Sequence, residues 1–479
     1  MKSEFSKTLG FGLLRLISSL LQLFISLVRN KLISSIYGAT GLGLYSSYQS
    51  SLNLITTLSN LHISNSAVKE IPQHLANQNL KQALTYYQVS QLLLFGLGSV
   101  GSIAIFIFSS SLSQVVFGTH DYQTGFQILS LTIVFNQLAS AQGVWMRATG
   151  AHKAMFYNNL ASTLTSFLVS LLLFLNFPTY GIPLSIAVNS IINFFSVHFF
   201  SSGRSFTSFP IWKKEYVKEA KSLLKNGKYL TLLDVSKSIS ENFLRILLVK
   251  FKNIEAVGQY TAGFSILQLS IGTITNSLNM DFTRELAFNQ ANPGKVVSLM
   301  RNHIYLSQLI LTPVLALLVI QVEWIVSLLF SNQFSAAIPL IMLGTLGITV
   351  EKIYYHISQY LYLFKRSRVY FKNQIIGILI YTLLASLFFI EWGLAGVGLA
   401  FLIRQLTYLL LGFYRIRGDI SFKDLLPFHP GIYFQHAVFF FIVWIQWIKV
   451  DFLWLSYVGL CLIIGLSLKE FWSFNRRKE

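Results

Sequence analysis

The stretch "LDVSKSISENFLRILLVK" (233–250) places Asp234, Lys237, Glu241 and Arg245 in a chain that is 53% hydrophobic and only 11% charged. At about 100° per residue the four side chains share one stripe roughly 80° wide. The stripe is about 16 Å long at the helical rise. Two kinds of chemistry fit such a row. Cations bind phosphate or carboxylate through charge-assisted hydrogen bonds, and acids at membrane depth carry coupling ions. The competing reading is internal pairing: Lys237–Glu241 and Glu241–Arg245 stand at i,i+4 and Asp234–Lys237 at i,i+3, which would leave the row as glue between helices. Facing lipid, each charge costs about 2.5–3.5 kcal/mol, or roughly 10–14 kcal/mol together. The row must therefore face the inside of a bundle or water.

Polar rows of the same geometry recur. Arg15, Ser18, Gln22, Ser26 and Arg29 share one face near the start of the chain. Gln49, Asn53, Thr56 and Asn60 share another, as do Gln268, Gly272, Asn276 and Asn279. Glu351 and Lys352 are adjacent within an apolar run, and Arg404 lies within a later one. The candidate binding residues are Arg15, Gln22, Arg29, Gln49, Asn53, Lys237, Arg245, Asn276 and Arg404. Cations, amides and hydroxyls in this mixture suit a ligand with phosphate and sugar groups. Asp234, Glu241 and Glu351 are the candidate ion-coupling acids, for a proton or sodium gradient. His62, His198 and His356 stand alone in the sequence and are not assigned a role.

The elements that carry these rows are long apolar runs. With 41 Phe and 22 Tyr among 479 residues, the chain reads as an all-α polytopic membrane protein. About fourteen spans are expected, near 8–34, 43–64, 84–108, 123–146, 154–176, 181–203, 229–250, 257–280, 302–321, 338–363, 370–390, 393–413, 431–448 and 452–468. The run from Thr8 to Ile36 is too long for a signal-peptide core and reads as a retained first span. The net charge of +19 follows topology rather than nucleic-acid binding. With the N-terminus inside, the outer loops hold Arg29, Lys31, Lys250, Lys252 and Lys449, and those near 109–122, 322–337 and 391–392 hold no Lys or Arg. This asymmetry predicts both termini in the cytoplasm. The single Cys461 leaves no disulfide framework or cysteine metal site.

A weak internal repeat organises the spans. "GLGLYSSYQSS" (41–51) lines up with "AVGQYTAGFSI" (256–266), and "ANQNLKQ" (76–82) with "ANPGKVV" (291–297). "VVFGTHDYQTGFQIL" (115–129) lines up with "LLFSNQFSAAIPLIM" (328–342), and "YGIPLSIA" (180–187) with "WGLAGVGLA" (392–400). Each unit holds six spans, so both run in the same orientation, as in parallel-repeat transporters. The expected organisation is a first half over 1–203, an amphipathic linker on the inner leaflet over 204–228, a second half over 229–415, and an appended hairpin with a basic tail over 416–479. In the linker, Tyr216, Ala220, Leu223 and Leu224 share the apolar face. No nucleotide-binding loop, HExxH or metal cluster is present, and the outer loops are short, so no enzyme and no cofactor are expected.

"GATGLGLYSSYQSSLNLITTLSNLHISNSAVKEI" (38–71) resembles the second-helix signature of bacterial Wzx-type polysaccharide flippases, of the multidrug/oligosaccharidyl-lipid/polysaccharide exporter (MOP) superfamily. "LFSNQFSAAIPLI" (329–341) and "VFGTHDYQ" (116–123) resemble the loops entering the tenth and fourth helices of the same group. The resemblance covers about residues 5–415. It implies a MATE-like fold of two six-helix repeats. It also implies translocation of undecaprenyl-diphosphate-linked oligosaccharides across the bacterial inner membrane, for O-antigen or another surface polysaccharide. The implied partners are that lipid-linked saccharide, membrane lipids, and the polysaccharide polymerase and chain-length machinery. The two extra C-terminal spans depart from the pattern and make the total similar to that of lipid II flippases. The alternatives are a cation-coupled multidrug exporter, which would favour an acidic aromatic cavity, and a membrane glycan polymerase or ligase, which would need a larger extramembrane loop.

Overall fold

The computed structural model describes residues 2–201, 211–364, 367–425, 430–448 and 454–476, with side chains except at 2–16, 270–281, 284, 367, 422 and 474–476. All regular structure among the described residues is helical. The chain divides into two compact units, Met1–Gly258 and Gln259–Glu479.

The first unit opens with α1 (Lys2–Asn60), in which Gly38 has φ +66°, so the long helix is two spans joined at a kink. Only glycine takes that left-handed conformation at no steric cost, and it is where the sequence separates its first two spans. Leu61 and His62 also have positive φ and turn the chain into α2 (Ile63–Ala76). Then come α3 (Leu80–Ile107), capped by the Asn79 side chain accepting from the Gln82 amide, and the short α4 (Ser109–Phe117). α5 (Gln123–Ala148), α6 (His152–Asn176), α7 (Gly181–Phe200) and α8 (Val217–Phe251) follow. The first turns of α9 (Ile254–Phe288) complete the unit.

The second unit holds the rest of α9, α10 (Pro293–Ile320), α11 (Val322–Leu329), α12 (Ile338–Phe364) and α13 (Ser367–Ile416). α13 is again two spans, kinked at Gly393 with φ +57°. A short α14 (Phe422–Leu425) precedes the hairpin of α15 (Pro430–Ile448) and α16 (Trp454–Arg476). Polar ties fix this hairpin to α10: His436 bonds Gln308 at 2.9 Å, and the Tyr305 hydroxyl donates to Glu470 at 2.7 Å.

One element order recurs where the sequence aligns its two units. In one, α4 and a turn lead into α5; in the other, α11 and a 3-10 turn (Asn332–Ala337) lead into α12. Tyr48 packs its ring against Phe117 and Phe126, and its hydroxyl donates to the Tyr122 carbonyl at the first turn. At the second turn Gln259 donates to the Gln333 carbonyl at 3.0 Å. Eight helices among the described residues are long and apolar enough to cross a membrane, with α13 counted once. The protein is a multi-pass membrane protein. α1 and α8 fall short of that apolar criterion, and these are helices that carry the polar rows.

The structure departs from the expected linker. α8 begins at Val217 and runs unbroken into the seventh span, across the expected boundary at 228. Its apolar face does not lie on lipid. Tyr216, Ala220 and Leu223 are buried in one core with Ile63, Ala67 and Ile71 of α2 and Ala83, Tyr86 and Tyr87 of α3. Polar ties reinforce that docking: Gln82 donates to Glu219 and Asn226 to Glu70, each at 2.8 Å. Only Leu224 of the expected face is left exposed. An amphipathic helix buries its apolar stripe on whatever apolar surface is nearest, and here that surface is protein.

Within the first unit, fully buried Gln137 on α5 donates to the Thr56 carbonyl at 2.9 Å and accepts from Asn60 at 3.0 Å. Asn60, the last residue of its polar row, is thus tied into helix packing. Gln137→Leu strands both partners, and such intramembrane bonds are worth about 0.6 kcal/mol on average and up to about 1.7. The expected outcome is a lower thermal midpoint of the purified protein, measured beside an unchanged Gln22→Leu control.

Candidate functional site

The α8 row is divided by the structure. Its side-chain exposures are 52% at Asp234, 67% at Lys237, 40% at Glu241 and 15% at Arg245. Asp234 does not pair with Lys237. It accepts from His62 at 2.9 Å, and the other His62 nitrogen contacts Asn65, so this histidine is not isolated as the sequence suggested. Glu241 lies between Lys237 at 4.0 Å and Arg245 at 3.9 Å, both at the limit of an ion pair. Arg245 is held instead by hydrogen bonds, donating to Ser50 Oγ and to the Glu241 carbonyl, each at 3.1 Å. One turn earlier, buried Asn242 donates to the Ser50 carbonyl at 3.0 Å and accepts from Ser51 at 3.4 Å. The row therefore combines a seam against α1, made by Asn242 and Arg245, with an accessible cation, Lys237.

A pocket of about 270 Å³ lies within the first unit. α1 contributes Gln22 and Arg29, which are seven residues apart on one face. α6 contributes Asn159, Ser162, Thr163 and Ser166, spaced i, i+3, i+4 and i+7. α7 contributes Asn189 and Asn193 at i,i+4. No lining residue is acidic. Arg29 makes no ion pair among the described residues, and its Nη1 reaches the Tyr45 hydroxyl only at 3.5 Å. Its Nε is buried without a hydrogen-bond partner. Nine residues separate Arg29 from the kink at Gly38, about 14 Å along the helix.

A family model described as "Polysaccharide biosynthesis protein" matches residues 71–339, more than half of the chain. The chain belongs to this polysaccharide biosynthesis protein family. Among solved structures, this family member is similar to the lipid II flippase MurJ in an inward closed conformation. The TM-score is 0.72 at 15% identity, covering 96% of this chain and 98% of that one. It is also similar to an inward-facing multidrug resistance MATE family transporter of the MOP superfamily, with TM-score 0.71 and 14% identity over 84% and 94% of the two chains. A point mutant of the Vibrio cholerae MATE transporter VcmN gives 0.60 at 12% identity over 87% and 98%. At these identities the likeness establishes the fold, which is shared with the lipid II flippase MurJ and the MATE transporters. No curated protein matches in sequence.

The remaining expected residues of this polysaccharide biosynthesis family member fall elsewhere. Gln49 is half-buried and Asn53 exposed, and neither lines the pocket. In the second unit, Arg404 stacks over the rings of Tyr381 and Phe401 at 4.5 and 4.7 Å. Glu351 accepts from Gln405 at 2.9 Å, and Lys352 is buried. His356 is buried as well, its Nδ1 bonding the Lys352 carbonyl at 2.8 Å and its ring lying against Phe282. Arg15 and Asn276 lie outside the described side chains. Among the described residues no cluster of His, Cys, Asp and Glu could hold a metal ion. Sequence reasoning missed the six pocket residues of α6 and α7. Their signal was present as neutral polar side chains at helical spacing, "NNLAST" (158–163) and "NSIIN" (189–193).

Proposed function

We propose that this protein is a flippase that moves undecaprenyl-diphosphate-linked oligosaccharides from the cytoplasmic to the outer leaflet of the bacterial inner membrane, for surface-polysaccharide synthesis. Both termini lie in the cytoplasm, and transport proceeds by alternating access. The observation that carries this reading is the first-unit pocket: one guanidinium without an ion-pair partner among the described residues, set among amides and hydroxyls with no acid. Such a site repels cationic drugs and attracts an anionic, hydroxyl-rich headgroup. The family match supports the polysaccharide assignment, and the MOP-superfamily fold supports transport over glycan polymerisation or ligation. In the same reading Lys237 meets the diphosphate, while Asp234, Glu241 and Glu351 are the acids open to ion coupling.

The test is reconstitution. Purified protein in proteoliposomes is given a fluorescent polyprenyl-diphosphate oligosaccharide, and leaflet exposure is followed by an impermeant glycan-modifying reagent. Movement well above that in protein-free vesicles is the expected outcome. Movement no faster than in empty vesicles, with and without an imposed proton or sodium gradient, would sink the reading.

A further inference from the structure

The charge and size of the pocket identify the part of the substrate it takes. Its lining holds one cation, four amides and three hydroxyls, and no anion. Arg29 has no carboxylate partner among the described residues, and its Nε is buried without an acceptor. A partly buried positive charge without a counter-charge is costly, so the occupied state is favoured when the ligand brings one negative charge. A polyprenyl diphosphate ester brings about two, and would leave the pocket with a net negative charge. A sugar carboxylate brings one. Volume points the same way. About 270 Å³ has room for one sugar ring; pockets for larger ligands run up to about 1,000 Å³.

We propose that this pocket is a subsite for a single acidic monosaccharide, of the hexuronic acid type, within the lipid-linked oligosaccharide. The Arg29 fork, through its orphaned Nε and a terminal nitrogen, takes the carboxylate. Ring hydroxyls are met by Asn159, Asn189 and Asn193 and by the hydroxyls of Ser162, Thr163 and Ser166, all of which donate and accept. The inference rests on the flippase reading above and adds to it the class of sugar that the protein selects.

The experiment compares two forms of one polyprenyl-diphosphate oligosaccharide in the same proteoliposomes: one carrying a hexuronic acid, the other with that carboxylate reduced to an alcohol. The native protein is expected to move the acidic form at least ten-fold faster. Arg29→Gln is expected to abolish that preference, so that the two forms move at equal rates in the variant. Arg29→Lys, which keeps the charge without the fork, retains part of it. Equal rates for the two forms in the native protein would overturn the proposal, and that arm needs no variant to fold. If neither form moves, the flippase reading fails, and calorimetry on the purified full chain decides the subsite separately. Glucuronate binding without glucose binding, lost in Arg29→Gln, upholds it; absence of glucuronate binding ends it.

Discussion

Gly258→Val is expected to cost the folded protein at least about 1–3 kcal/mol, read as a clearly lower thermal midpoint and lower yield of monodisperse protein. A Cβ built at Gly258 runs into the Ala39 carbonyl oxygen, and one built at Gly43 runs into the Ile254 carbonyl oxygen. In both cases the obstacle is backbone, so no rotamer change relieves it. The two glycines are the residues that the sequence repeat superposes, Gly43 in "GLGLYSSYQSS" and Gly258 in "AVGQYTAGFSI". The start of α9 and the second span of α1 therefore approach each other through equivalent positions, each providing the missing side chain that the other needs. Gly258→Ala should give a smaller drop, and Gly43→Val a drop like that of Gly258→Val. Gly143→Ala is the control: a Cβ there meets nothing within 4 Å, and alanine favours a helix over glycine by about 1 kcal/mol. An unchanged midpoint for Gly258→Val would mean that the contact between α1 and α9 is not part of the resting structure.

The membrane passes and their order were legible because apolar runs near 20 residues leave few alternatives in a bilayer. The repeat was legible because turn residues must recur wherever a short helix leads into a span. Charge location was legible for the same reason of cost: Arg29 and Arg245 had to find polar surroundings. What surrounds them was not. Asn159, Ser166, Asn189 and Asn193 are neutral, and a few neutral polar side chains in an apolar helix are as common in packing as in a site. Only the meeting of α1, α6 and α7 separates the two cases. The His62–Asp234 pair joins residues 172 positions apart, through the positive-φ turn at Leu61 and His62, and nothing in the local sequence of either residue points to the other. The face of Tyr216, Ala220 and Leu223 is apolar as its spacing implies, yet it packs on protein rather than lipid, because periodicity reports that a face is buried and not what buries it.

Lys237→Gln is expected to slow translocation at least ten-fold while leaving the thermal midpoint unchanged, and Arg245→Leu to lower the midpoint itself. Both residues are cations on one face of α8, and the sequence left open whether Asp234 and Glu241 already occupy them. The structure separates them. Arg245 is nearly buried and donates to Ser50 and to the Glu241 carbonyl, next to the Asn242 bonds in the same seam. Hydrogen bonds from a charged donor contribute about 1.5–3 kcal/mol, and leucine supplies none of them. Lys237 is two-thirds exposed, and its acidic neighbour Glu241 is 4.0 Å away. An exposed pair of that length is worth about 0–1 kcal/mol, too little to hold the ammonium. Lys237 lies fourteen residues from the end of α8 at Phe251, about 21 Å along the axis. A lysine turned to lipid costs about 2.5–3.5 kcal/mol, and in the flippase reading proposed above this exposed ammonium meets the diphosphate. Lys237→Arg should preserve most of the rate, since a phosphate accepts either cation. Translocation unaffected by Lys237→Gln, or a midpoint that falls as far for Lys237→Gln as for Arg245→Leu, would refute this division between a binding cation and a positioning one.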